Sequence, residues 1–100
     1  MAQGDDHEEG FWDRETAAKK LVEDAKKCMP SRPADYLREY QEARLATIKQ
    51  LERIIRLYKL AVSTTREEHF QVQLDRSTSF LQSYRRELAE TYRAMELLGV

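Results

Sequence analysis

The chain has 100 residues, of which 35% are charged and 9% aromatic, and its net charge is −1. That length holds one domain with a modest core, so oligomerisation or a partner is expected. Near-neutrality gives no ground for nucleic-acid or membrane-surface binding, and a single cysteine, Cys28, excludes an intramolecular disulfide.

A lone cysteine fits a reducing compartment. No basic stretch followed by an apolar run opens the chain, and no segment approaches the ~20 apolar residues of a membrane span. The expected location is the cytoplasm, with the nucleus as the alternative. Three glycines, two prolines and no asparagine are the composition of long helices with few turns.

Residues 1–10, MAQGDDHEEG, carry Asp5, Asp6, Glu8 and Glu9 and no Lys or Arg. This stretch reads as a disordered acidic tail, and residues 11–100 read as a single helical domain. The first helix is predicted over residues 13–28. Asp13 is a natural N-cap, with Trp12 placed to staple onto Ala17. Glu15–Lys19 and Glu23–Lys27 have the spacing and order of favourable pairs. Ala18, Leu21, Val22, Ala25 and Cys28 or Met29 form its apolar stripe, and that position makes Cys28 a small core residue by default. Pro30 stops the helix.

The second helix is predicted over 33–62, opening on Pro33. Ser63-Thr64-Thr65 is the turn. Thr64 with Glu67 and Thr65 with Glu68 both read as capping boxes, starting a third helix over 65–98 that Gly99 ends. No strand pattern occurs. The fold class is therefore all-α: a three-helix bundle built on a long antiparallel hairpin with a shorter N-terminal helix.

Both long helices carry apolar positions in alternating steps of four and three, the seam of a coiled-coil-like pair. A turn near residue 64 sets Ile48 against Leu81, Ile55 against Leu74, Tyr58 against Phe70, and Arg44 against Tyr84. Arg44 thus falls on the seam. Its guanidinium is expected to snorkel, to stack on a tyrosine or to pair with a carboxylate. With Gln41, Thr47, Ser77 and Thr91 it makes a polar layer that sets register.

The first helix is half the length of the others. Folded back at Pro30, it is predicted to run along helix two, with Ala25 beside Leu37, Val22 beside Tyr40 and Ala18 beside Arg44, and with Phe11 and Trp12 at the level of Leu51. Residues 54–62 then extend about 12 Å beyond it. They lie in ERIIRLYKLAV, which is apolar nearly all round. The sequence therefore predicts an exposed partner-binding tip formed by Ile54, Leu57, Leu60, Ala61 and Val72.

Other chemistry finds little support. His7, His69 and Cys28 have no metal-ligand spacing, and no phosphate-binding glycine loop or nucleophile–base pair occurs, so no enzyme activity, metal or cofactor is expected. Lys49, Arg53 and Arg56, with Arg38 further along, form a basic stripe, but Glu42 and Glu52 interrupt it and a solvated helix face accounts for it. Leu98-Gly99-Val100 has the pattern of a C-terminus that adds a strand to a groove; Leu98 also serves as a last core residue.

The predicted layout resembles three-helix modules such as the tubulin-binding cofactor A family and the N-terminal bundles of syntaxins, in architecture alone, so no residue or function is carried over. The expected function is a non-enzymatic interaction module, a subunit or adaptor binding through its apolar tip. The alternatives are a homodimer whose tips form a four-helix bundle, and a nucleic-acid or acidic-partner binder using the basic stripe.

Overall fold

A computed structural model describes residues 13–100, so the expectations for the acidic tail and for Phe11 and Trp12 lie outside the described residues. Three helices make up the fold: α1 (Arg14–Cys28), α2 (Pro33–Thr64) and α3 (Glu68–Leu98). The described residues contain no strand.

The ends of the helices follow from local chemistry. The Asp13 carboxylate accepts from the Glu15 N–H at 3.0 Å and from the Thr16 hydroxyl at 2.6 Å, satisfying the open first turn of α1. These two bonds, hydroxyl first, hold its pKa below the ordinary aspartate value. Lys26 and Lys27 stand at the negative end. Pro33 occupies the first turn of α2, where it loses no hydrogen bond. Asp35 binds both Arg32 and Arg38 there.

The second turn departs from expectation. The Thr64 hydroxyl folds back to the carbonyls of Leu60 and Ala61, at 3.0 and 3.2 Å, which carries α2 two residues further than predicted. Thr65 accepts a 3.3 Å bond from the Glu67 N–H, and α3 begins only at Glu68, with no side-chain cap at Glu67. Neither predicted capping box forms, because each threonine satisfies the turn itself instead of reaching three residues ahead. At the far end Gly99 takes φ 88°, a left-handed conformation that costs glycine little. The N–H groups of Gly99 and Val100 both donate to the Met95 carbonyl at 2.9 Å. Leu98 packs inward. The last three residues therefore close a helix rather than offering an extended strand.

The hairpin has the predicted register. Ile48, Ile55 and Leu81 form one buried cluster with Leu51, Leu74, Tyr84 and Leu88 packed against it, and the Tyr58 and Phe70 rings lie 6.4 Å apart near the turn. Each such side chain contributes about 1.5–3 kcal/mol when fully buried. A second cluster, Ala18, Ala25, Leu37 and Ala94, holds α1 to the base of the hairpin. All four are fully buried, and the three alanines let the helix backbones approach closely.

The path of α1 differs from expectation. It leans mainly on α3. Its C-terminal end meets Tyr36 of α2 through Cys28, and its N-terminal end meets Arg93 of α3 through Glu15. It therefore crosses the base obliquely, and Ala18 sits with Leu37 and Ala94, not with Arg44. Glu15 explains the difference. It turns from Lys19 to Arg93, whose guanidinium donates to both carboxylate oxygens, at 2.7 and 3.1 Å. Cys28 is exposed at the end of α1 and not in the core. The described residues span 53 × 38 × 18 Å, a flat shape in which α1 widens one end.

Candidate interaction surface

Because α1 crosses the base, the part of α2 and α3 beyond Arg44 and Tyr84 is a bare two-helix hairpin among the described residues. A polar layer closes the covered part. The Arg44 guanidinium donates to Glu87 and, at 2.9 Å, to the Tyr40 hydroxyl. It also lies over the Tyr40 ring at 4.2 Å and near the Tyr84 ring at 5.4 Å. Two of the expected fates of Arg44, stacking and carboxylate pairing, thus occur together. Burial acts against its charge, but Tyr40 and Glu87 outweigh that and hold its pKa above the ordinary arginine value.

The two sides of the bare hairpin are chemically different. One groove, about 660 Å³, is lined by Glu52, Arg56, Lys59, Asp75 and Arg85 over Ile55, Leu74 and Leu81. Glu52 and Arg85 pair across it at 3.0 Å. The other groove, about 230 Å³, is lined by Thr47, Gln50, Leu51, Ile54, Phe80 and Tyr84 and has no charged residue. Steps of three and four continue this side along α2 through Leu57 to Ala61.

Of the predicted tip residues, Ile54 lines this groove. Leu57 and Leu60 are 60% and 61% exposed, Val72 51% and Ile54 38%. Ala61 is half-buried beneath them. Leu60 stands at the shoulder, one turn from Leu57 on the outer side of α2. Sequence reasoning missed Phe80, which is 51% exposed. It lies off the hairpin seam, at a level where the predicted path of α1 covers the hairpin. The Val72–Arg76–Phe80 spacing was the available signal.

This apolar side is continuous with the surface that α1 occupies. Tyr36 and Tyr40 share a face of α2 with Thr47, Leu51 and Ile54, in steps of three, four and seven, and α1 packs on Tyr36 and Tyr40. Among the described residues, one face of the hairpin is therefore filled by a helix at its base and open towards its tip.

The basic stripe is divided by this geometry. Lys49, Arg53 and Arg56 are all exposed, and none has an ion pair among the described residues. Arg56 lines the charged groove. Arg53 lies one turn from Leu57, on the side of α2 turned away from α3. Arg38 binds Asp35 at the base.

Other titratable groups with displaced pKa values have structural partners. The Arg93 hydrogen bond holds Glu15 below the ordinary glutamate value, and Glu15 and then Glu96 raise Arg93. Burial, and then neighbouring Cys28, raises Tyr36. No group of three or more His, Cys, Asp or Glu among the described residues is placed to hold a metal ion, and no described helix is long and apolar enough to cross a membrane. Comparison with protein-family models, curated proteins and solved structures finds no match for this chain.

Proposed function

We propose that this chain is a non-enzymatic protein–protein interaction module, a subunit or adaptor that binds through the apolar side of its bare hairpin. The observation that carries this reading is the uncharged groove on the bare hairpin that Leu51, Ile54, Phe80 and Tyr84 line, with Ile54 and Phe80 exposed in it and Leu57, Leu60 and Val72 exposed on the same two helices. Scattered surface leucines are ordinary; exposed apolar side chains gathered in a groove are a usual mark of an interface. The opposite side, of the same helices, is charged, so the asymmetry belongs to the face and not to the composition of the tip. The absence of catalytic motifs in the sequence, and the ion-pair, cap and burial origins of the displaced pKa values, leave the protein-binding reading ahead of an enzymatic one.

The test is the double change Leu57→Glu, Leu60→Glu, with Phe80→Glu as an independent second variant. Both are expected to keep the circular dichroism and melting transition of the wild type while losing helix binding or self-association. Unfolding of both variants would place these side chains in the internal core. Folded variants with every association intact would make the patch tolerated surface.

A further inference from the structure

We propose that α1 is a strap that opens from the hairpin as a unit, hinged at its connector and latched at its N-terminal end, while α2 and α3 stay paired. The two clusters of buried residues are separate. The base cluster sets Ala18 and Ala25 of α1 against Leu37 and Ala94. The second, Ile48, Ile55 and Leu81 with Leu51, Leu74, Tyr84 and Leu88 packed on it, takes no residue from α1. Between them stands the Arg44–Glu87 pair, and both of its partners belong to the hairpin. These register-fixing contacts are made without α1.

The attachment of α1 is slighter. Among its described residues only Ala18 and Ala25 are buried, and each removes little apolar surface from water. Its larger side chains, Leu21 and Val22, are only partly buried against the base. The latch is the Glu15–Arg93 pair, whose side chains are 41% and 37% exposed and so open to water and salt. At the other end the hinge runs from Met29 to Arg32, closed by a 3.0 Å bond from the Arg32 N–H to the Met29 carbonyl. Pro30 and Pro33, in and beside it, have no N–H to give. An element with few buried apolar contacts belongs to the low-stability end of a fold. Opening about this hinge uncovers Leu37 and Ala94 and lengthens the open side of the hairpin towards its base. Only that consequence rests on the interface reading, in which docked α1 holds part of the binding face closed.

Native-state hydrogen exchange of the full chain at neutral pH tests this amide by amide. The amides of α1 are expected to share one opening, about tenfold more frequent than that of the Ile48, Ile55 and Leu81 amides and less dependent on denaturant. Ile55→Val in the second cluster is the deciding variant. It is expected to raise exchange of the hairpin amides about fivefold and to leave exchange of α1 unchanged, because the hairpin is still folded when α1 opens. Ala25→Asp, which puts a carboxylate into the base cluster, is expected to strip protection from α1 while the hairpin amides stay protected. One protection level across all three helices would overturn the proposal. So would α1 exchange that rises with Ile55→Val by the same factor as the hairpin, or complete unfolding of Ala25→Asp. Leu57→Glu, Leu60→Glu lies in neither cluster and is expected to move neither protection level, so failure of the interface and failure of the strap are read separately.

Discussion

Arg44 shows how one side chain can set an alignment. It sits at the boundary between the covered and bare parts of the hairpin, with Glu87, Tyr40 and Tyr84 around it. Replacing it with alanine leaves the Glu87 carboxylate without its partner on the seam. Hydrogen bonds to charged groups contribute ~1.5–3 kcal/mol, and partial exposure reduces that, so Arg44→Ala is expected to destabilise by about 1–2 kcal/mol in urea unfolding. Arg44→Lys is expected to recover only part of the loss, since an ammonium cannot form the same fork or stack as flatly. A neutral alanine variant would mean that the layer has no energetic role. The sequence located Arg44 on the seam, but not which carboxylate it meets. Glu87 is one of several acids within reach of a flexible side chain, and spacing does not choose among them.

At the level of the helices, the hairpin was legible and the path of α1 was not. Ile48, Leu81, Ile55 and Leu74 repeat in a pattern that only one register satisfies, so their pairing follows from position alone. Ile48→Ala and Leu81→Ala are each expected to cost about 2–4 kcal/mol. Because they share a cluster, the double variant is expected to be non-additive; full additivity in denaturant titrations would contradict the register. For α1, the alanine stripe permits several crossing angles, and the choice rests on Glu15 reaching Arg93, two residues far apart in sequence. That pair gives α1 docking a pH dependence. The folded pKa of Glu15 is lowered, so its contribution is fully present above the ordinary glutamate value and is lost as pH falls below that through the folded value. Hydrogen exchange of α1 is expected to rise on acidification below that point more than exchange of the hairpin core. Arg93→Gln is expected to flatten the difference, and an unchanged profile in that variant would remove Glu15–Arg93 as its cause.

At the scale of the whole molecule, the oblique path of α1 leaves an apolar groove open among the described residues. The sequence indicated an exposed tip from the all-round apolarity of residues 54–62, and Ile54, Leu57, Leu60 and Val72 are exposed. It did not reveal that the open face extends to Phe80, because that depends on where α1 stops. A molecule with one apolar and one charged side of the same hairpin has a built-in control, and this gives the most direct test of the proposed interface. A photo-reactive benzoylphenylalanine is placed at Phe80 on the apolar side in one variant and at Lys59 in the charged groove in another. Each is then irradiated in extract from the source cells. The proposal predicts a discrete crosslinked protein from position 80 that disappears when Leu57→Glu and Leu60→Glu are added, with no such product from position 59. Crosslinking of equal yield from both sides, or a product from position 80 that survives the leucine changes, would contradict it.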